Sequence, residues 1–448
     1  MSIKKIYVAK LVISHETKDC KIEKMHILFL KIIFLCNFGT QKQNNIIDIS
    51  IYTLTSQLHD EKAVDAATAE FLGSLNIKFD FIGSDFTTYG DHALNLIYVR
   101  TGGTEGIFKK LLPQIQANSK QPIYLLTSGK SNSLAASMEI LSYLRLNNIK
   151  GEILHGSTEY VAERIGILEK VGLARKQLNG CRLGVVGEPS DWLISSNADY
   201  ETVKAKTGIE IINIPMQELL DEIKEIPMPN PEELVAKAPN DNIKKALPIA
   251  EQIYLALNVI IKKYDLNGFT LRCFDLLTAV KNTGCLALAK FNSEGIIATC
   301  EGDVPAMLSM AITNSLAKVS GFQANPAHIN PTSGEMLFAH CTIPFNMIER
   351  YEFDTHFESS IGVGIRGYMK NGPVTIFKVS GNLGRHFAEN GELVSSQAKP
   401  NLCRTQQVIQ LENAEKTNYF LTNPIGNHHI IVPGKMKNLF DEFMKNCE

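Results

Sequence analysis

The feature that most constrains this chain is a regular alternation, starting at residue 47, of short apolar runs with stretches whose apolar residues recur at helical spacing. Short apolar runs between polar turns are typical of buried strands. Strands separated by helices pair in parallel, with helices on both faces of the sheet. The alternation therefore predicts a doubly wound parallel α/β domain over residues 47–178. Its predicted strands are IIDISIYTLT, ALNLIYVR, PIYLLTS and GEILHG.

A second series of the same kind follows. RLGVVG and EIINI read as buried strands, PMQELLDEIKEI as a helix, and residues 244–264 as a long helix with one apolar side. The segment IPMPNPEEL between these helices has three prolines in nine residues, which predicts a loop. We expect a second α/β domain over residues 179–318, ending in the turn EGD.

After Gly321 the pattern changes to short β-like runs separated by turns, closed by the helical KMKNLFDEFMKN. Such runs are typical of an antiparallel sheet or barrel. The predicted fold is therefore two doubly wound parallel α/β domains followed by an antiparallel, barrel-like C-terminal domain over residues 319–448. The β-like runs are MLFAHCTI, VGIRGYM, PVTIFKVSG, CRTQQVIQL, YFLTN and HHIIVPG.

Charge and cysteine content limit the partners and the compartment. The chain has 45 basic and 47 acidic residues, so its net charge of −2 gives no reason to expect nucleic acid or an anionic membrane as a partner. The expected partner is a small molecule. The nine cysteines are scattered and never spaced C-x-x-C, which predicts reduced, buried thiols and a cytoplasmic protein.

Residues 1–46 do not fit the α/β pattern. The segment MHILFLKIIFLCNF resembles the apolar region of a signal peptide, but it is too short to span a bilayer and is interrupted by Lys31. We interpret residues 1–46 as an atypical N-terminal extension outside the first domain.

A carboxylate pair, Glu301 and Asp303, lies between the strand-like GIIATC and the helix-like VPAMLSMAITNSLAKV. In a doubly wound fold the carboxyl ends of strands face the ligand crevice, so both are candidate catalytic residues. Asp303 also precedes Pro305 at the predicted start of a helix, where an N-cap is the commoner role for Asp. Glu301 has no such structural duty and is the stronger candidate for acid–base and metal chemistry.

Six of the eleven histidines fall after residue 321, which raises the prospect of a metal site there. His340 sits in an apolar strand, and a buried imidazole needs a partner that a metal would supply. His428 and His429 are neighbours whose side chains point to opposite faces if GNHHIIVPG is a strand. We expect at most one of them to bind the ion and choose His429, leaving His428 as a candidate substrate-binding residue. A carboxylate with two imidazoles suits Mn²⁺ or another divalent cation.

Two loops offer candidate substrate contacts. In RTGGTEG the backbone N–H groups could hold a sugar oxygen or an anion, making Arg100, Gly102 and Gly103 candidates, although a tight βα turn explains the glycines equally simply. In GEPSDW, Asp191 could hydrogen-bond a sugar and Trp192 could stack on it, or the segment could be a turn with a packed indole.

Taken together, RTGGTEG, GEPSDWLI, CEGD, NPxxI followed by LFAHCTIP, HFESSIGVGIRG and GNHHIIVPG resemble the L-fucose isomerase and L-arabinose isomerase superfamily, especially its fucose-isomerase-like branch. The resemblance covers residue 47 to the end. It implies a homo-oligomer and a Mn²⁺-dependent aldose–ketose isomerase that acts on a pentose, a deoxyhexose or a related sugar through an enediol. It also implies that Glu301, His340 and one histidine of the HH pair bind the metal.

The sequence departs from this family at one position. Where the family places its second catalytic, metal-binding Asp or Glu, this chain has Asn325. An amide can ligate a metal through its oxygen but cannot shuttle a proton. The role of the second acid–base carboxylate would then fall to Asp303, Glu335 or Glu358, or the protein would carry out modified chemistry. The alternative is a non-catalytic sugar-binding or regulatory protein, and a weaker third reading is a hydrolase or lyase that activates water.

Overall fold

The first sheet follows the predicted α/β alternation. In the computed structural model, which describes residues 47–445 and 447, five parallel strands lie in the order β2-β1-β3-β4-β5. Along β3, Leu94, Leu96 and Tyr98 pack into one core and Ile97 and Val99 into another, so both faces are covered by helices. The elements are β1 Ile49–Leu54, α1 Glu61–Ser74, β2 Asp80–Gly83, β3 Leu94–Val99, α2 Glu105–Asn118, β4 Ile123–Leu126, α3 Ser133–Leu146, β5 Gly151–Leu154 and α4 Thr158–Leu178.

The second sheet has four parallel strands in the order β7-β6-β8-β9. The proline-rich IPMPNPEEL forms a loop with a single helical turn, α7. The elements are β6 Arg182–Val186, α5 Tyr200–Thr207, β7 Glu210–Ile214, α6 Met216–Glu225, α7 Glu232–Val235, α8 Asp241–Tyr264, β8 Gly268–Leu271, α9 Cys273–Ala279, α10 Cys285–Ser293, β9 Ile297–Cys300 and α11 Val304–Ala317.

The C-terminal part forms a closed antiparallel barrel in the order β10-β11-β16-β15-β14-β17, with β12 and β13 as a separate hairpin. The predicted fold class is therefore confirmed. The elements are β10 Phe322–Ile329, β11 Glu335–His340, β12 Ile348–Asp354, β13 Gly364–Met369, β14 Gly372–Val379, β15 His386–Gln397, β16 Thr405–Leu411, α12 Thr417–Thr422, β17 His429–Pro433 and α13 Lys437–Lys445.

One predicted strand is wrong. YFLTN lies in helix α12, where Tyr419 and Phe420 pack against the barrel core and Leu421 is 56% exposed. Two neighbouring aromatic residues facing the core fit a short helix better than a strand, whose side chains alternate between faces. The barrel is also closed by six strands and has no free edge for a seventh.

Helix α11 positions the functional site. It is buried almost all round, packing against α4 and against barrel strands β14 and β17. A helix that is apolar on every side is typical of a protein interior. Its N-terminus, which follows the EGD turn, is thereby held between the second sheet and the barrel.

The structure also bears on the predicted thiols and on membrane-spanning segments. The described cysteines are all free thiols, and all but Cys403 are buried, as predicted. No helix in the described part of the chain is long and apolar enough to cross a membrane. The predicted extension 1–46 lies outside the described residues, and the domain boundaries at 178/179 and 318/319 stay predictions.

Candidate metal centre

The turn after β9 presents Glu301 in an unusual backbone conformation. Glu301 has φ 65° and Gly302 φ 68°, both in the left-handed region. That region costs an L-residue other than glycine about 1–2 kcal/mol. Residues with such a strained backbone persist only where the surrounding structure enforces the conformation. They cluster at functional sites. Here the Glu301 carbonyl accepts a hydrogen bond from the Ser190 backbone N–H at 2.9 Å, which ties the turn to the loop after β6.

Two histidines from the barrel meet the Glu301 carboxylate. His340 ends β11 and His428 directly precedes β17. Their Nε2 atoms lie 3.9 Å and 3.4 Å from Oε1 of Glu301, and one ligand atom from each of the three residues lies within 4.8 Å of the others. All three side chains are buried. Trp192 donates its indole N–H to the other oxygen, Oε2, at 2.7 Å.

The charges of this group favour an ionised carboxylate. Burial raises the pKa of Glu301, but the nearby charges of His428 and His340 and the Trp192 hydrogen bond outweigh it and lower the pKa to about 2. Burial, with the neighbouring charge of His428, lowers the pKa of His340 to about 3. At neutral pH Glu301 is therefore an anion, and His340 offers a neutral imidazole.

His428 is oriented by a second carboxylate. Its Nδ1 lies 2.9 Å from Oδ2 of Asp303, while Asp303 Oδ1 accepts from the Ala306 N–H at 2.8 Å as the N-cap of α11. Lys378, wholly buried, places Nζ 3.5 Å from Asp303 Oδ2. Burial lowers the pKa of His428, but the Asp303 and Glu301 carboxylates overcome this and raise it to about 9. Asp303 thus has the predicted N-cap role and a second contact at the site.

The residues fit a divalent cation. Among the described residues, His428 Nε2 is buried without a hydrogen-bond partner although it faces the Glu301 carboxylate. A buried imidazole nitrogen without a partner is costly, and a metal ion would satisfy it. A carboxylate, two imidazoles and an Asp–His hydrogen bond behind one of them match the usual surroundings of a bound divalent ion. Glu301, His340 and His428 are the residues that would hold it.

His429, the predicted ligand, lies away from this group. Its Nδ1 lies 3.1 Å from the Asn427 carbonyl and its Nε2 3.0 Å from the Tyr419 hydroxyl. Its ring packs among Tyr419, Phe387 and Phe420. The two neighbouring histidines point to different sides, as predicted, but it is His428 that the structure brings to Glu301.

Asn325 lies on β10, the barrel strand that pairs with β11, which ends at His340. Strand pairing places it opposite Ala339, next to His340, and its Oδ1 accepts a hydrogen bond from the Asn427 amide at 3.0 Å. One lone pair of that oxygen is therefore already used.

The alternative acid Glu335 lies at the opposite end of β11 from His340. Burial and the charge of Glu301 both raise the pKa of the Glu358 carboxyl.

The predicted substrate-binding residues separate into two places. Arg100 lines a cleft of about 120 Å³ at the carboxyl edge of the first sheet, and this cleft includes none of the Glu–His–His residues. Gly102 and Gly103 belong to the adjoining turn, where the Gly102 N–H donates to the Ser131 carbonyl at 2.7 Å. Asp191 is mostly exposed and pairs with Arg272 at 3.1 Å. Trp192 and His428, by contrast, contact Glu301 directly.

Sequence reasoning gave one member of the site, His428, a different role and missed another, Lys378. His428 was assigned to substrate and not to metal, because the strand pattern shows that the two histidines diverge but not which one faces Glu301. Lys378 occurs in the apolar run PVTIFKVSG, and a lysine inside such a run is itself a signal, since buried lysines are almost always paired.

The fold and the site together define a class of protein. Its members have two parallel α/β sheets, a closed antiparallel barrel and a buried Glu–His–His group suited to a divalent cation. No family profile matches the chain. Sulfoquinovose isomerases from Alkalicoccus urumqiensis and Priestia aryabhattai are 24% and 25% identical to it over 261 and 263 residues. A third, from Priestia megaterium, is 25% identical over 263 residues.

These alignments cover 55% to 56% of this chain and 59% of each relative. The chain thus matches somewhat more than half the length of known sugar isomerases. This agrees with the resemblance in the sequence at the level of a sugar isomerase, without identifying the fucose-isomerase-like branch.

Proposed function

We propose that this chain is an aldose–ketose isomerase that depends on a divalent cation, with Mn²⁺ as the first candidate. The observation that carries the proposal is the buried group formed by Glu301, His340 and His428, in which a histidine nitrogen faces a carboxylate without a hydrogen bond. The similarity to sulfoquinovose isomerases supports the same reaction class. The proposed substrate is a pentose, a deoxyhexose or a related sugar, and sulfoquinovose is the first to test.

Glu301 is the proposed proton carrier. Isomerisation removes the proton from C2 of the open-chain aldose and delivers a proton to C1, which one carboxylate can do if it is ionised at the start. The pKa of about 2 keeps Glu301 ionised. A bound divalent ion would polarise the sugar oxygens at C1 and C2 and stabilise the charge that develops there.

The remaining residues have supporting roles in this proposal. The carboxylate of Asp303 is committed to Ala306, His428 and Lys378 and is fully buried, so it orients His428 instead of reaching the sugar. Trp192, half exposed, holds Glu301 Oε2 and offers its ring face to the substrate. With an amide at Asn325, Glu358 is the candidate to move the hydroxyl proton between O2 and O1.

The test is metal analysis of the purified protein, followed by ketose assays on sulfoquinovose, L-fucose and L-arabinose before and after removal of the metal. We expect ketose formation that is lost with chelator, restored by Mn²⁺ and abolished in Glu301→Gln. Glu294→Gln is the matched control, because Glu294 is a partly buried carboxylate that accepts a hydrogen bond from Tyr254 outside the site. Full activity of metal-free protein would refute the proposal.

A non-catalytic sugar-binding protein is the second candidate, favoured by Asn325 and its hydrogen bond to Asn427. In that case we expect added sugar to raise the melting temperature of the protein without being converted. A ligand that binds only the native state stabilises the folded protein by mass action. Asn325→Asp separates the two candidates further. Activity that appears only in this variant would support the binding protein, and turnover by the unmodified chain would reject it.

A further inference from the structure

Lys378 is the most unusual residue near the candidate metal centre. It lies in β14 with no exposed surface, and among the described residues the one hydrogen-bond partner of its ammonium group is Asp303 Oδ2, at 3.5 Å. A lysine in such surroundings is almost always retained for a charge partner. Burial lowers the pKa of its ammonium group, and the Asp303 carboxylate offsets this lowering only in part.

The contacts of Lys378 lead to the proposed metal through two further residues. Asp303 Oδ2, which Lys378 approaches, also lies 2.9 Å from His428 Nδ1. The opposite nitrogen of that ring, Nε2, faces Glu301 Oε1 at 3.4 Å. Asp303 Oδ1 is fixed separately by the Ala306 N–H at 2.8 Å. Lys378 thus contacts Asp303, Asp303 contacts His428, and His428 faces Glu301.

We propose that Lys378 is a positioning residue for the metal centre: it fixes the Asp303 carboxylate, which in turn fixes the His428 ring so that Nε2 faces the ion. This inference rests on the proposed function. Residues behind a metal-binding histidine set the direction of its ring, and losing them weakens metal binding about 10- to 100-fold. Lys378 would act one residue further from the ion, through Asp303 alone.

Charge gives a second reason for a lysine at this position. Asp303 is fully buried and its charge must be balanced when His428 binds a cation as a neutral ligand. Lys378 supplies that balance without touching the ion. A neutral side chain of the same length would fill the space but leave Oδ2 of the Asp303 carboxylate held by His428 alone.

The sole tryptophan of the chain makes the test direct. Trp192 contacts Glu301 at 2.7 Å, so its fluorescence should respond when paramagnetic Mn²⁺ binds beside it. The experiment titrates Mn²⁺ into metal-free wild type, Lys378→Met, Asp303→Asn and the double variant, following Trp192 emission. Lys290→Met is the matched control, because it removes a lysine from another ion pair, with Glu251 at 2.6 Å.

We expect Lys378→Met to raise the Mn²⁺ dissociation constant about tenfold, and Lys290→Met to leave it unchanged. Because Lys378 acts through Asp303, adding Lys378→Met to Asp303→Asn should cause less than about a twofold further change. Equal affinity in Lys378→Met and wild type would overturn the inference, as would independent losses that add in the double variant.

Two further outcomes are informative. If Lys378→Met does not fold, the double variant, which leaves no buried charge unpaired, is compared with Asp303→Asn alone. Equal dissociation constants then support the inference, and a further loss overturns it. If wild-type protein binds no Mn²⁺, the metal proposal and the inference both fail. If wild type binds Mn²⁺ and Lys378→Met binds it equally well, only the role of Lys378 is rejected.

Discussion

Trp192 donates its indole N–H to Oε2 of Glu301 at 2.7 Å and so joins the loop after β6 to the turn after β9. The contact leaves Oε1, the oxygen nearer to both histidines, free for an ion. The same ring packs edge-on against Phe274, with centroids 4.8 Å apart, and is half exposed. One side chain therefore positions the carboxylate and forms part of the wall of the site.

Trp192→Phe keeps an aromatic ring against Phe274 but removes the N–H donor, together with the second ring of the indole. A hydrogen bond to a charged group contributes about 1.5–3 kcal/mol, so we expect kcat to fall about tenfold or more. Steady-state kinetics on the active sugar give the measurement. Tyr264→Phe, which removes a 2.8 Å hydrogen bond to Glu218 outside the site, should leave kcat unchanged. A normal kcat in Trp192→Phe would mean that Glu301 does not depend on this contact.

His428→Gln and His429→Gln distinguish the two neighbouring histidines. We expect His428→Gln to lose the bound ion, because His428 faces Glu301. His429→Gln should keep about one ion per chain and lose about 1–2 kcal/mol of stability from its hydrogen bonds to Tyr419 and Asn427. Elemental analysis and thermal unfolding give the two readouts. The reverse pattern would restore His429 as the ligand.

Gly302→Ala tests the strained turn that presents Glu301. With φ 68°, an added Cβ would lie 2.6 Å from the Glu188 carbonyl oxygen and 2.7 Å from Pro189 Cα. We expect a loss of at least about 1–3 kcal/mol in the free energy of unfolding. Urea unfolding gives the measurement. Gly166→Ala, in α4 with no atom within 4 Å of the added Cβ, is the control and should be neutral or stabilising. Equal stability of the two variants would contradict the packing described for Gly302.

Metal affinity should depend on pH. The carboxylates of Asp303 and Glu301 raise the pKa of His428 to about 9, so the metal-free protein carries a proton on this ring at pH 7. An ion binds only the neutral ring, and its affinity should rise about tenfold per pH unit from pH 7 and level off above pH 9. His340 and Glu301, with pKa values of about 3 and 2, add no dependence in that range. Calorimetric titration at several pH values would show it, and a flat profile would contradict it.

The sequence by itself determined the fold class and two of the three residues of the candidate metal centre, Glu301 and His340. The alternation after residue 47 predicts parallel sheets, because strands that are separated by helices pair in parallel. Glu301 directly follows a buried strand, and the carboxyl ends of such strands are where these sheets place functional groups. The N-cap role of Asp303 was likewise readable from the residues around it. These are local properties of the chain, set by periodicity and neighbouring residues.

Only the tertiary structure decided which histidine meets Glu301. His428 and His429 differ by one position in a strand, and the direction of each ring depends on barrel closure, which turns His428 toward α11 and His429 toward Tyr419. Lys378 joins the site across 75 residues, and Trp192 across 109. Contacts between such distant segments depend on how sheets and barrel pack together, and no local pattern in the chain encodes that packing.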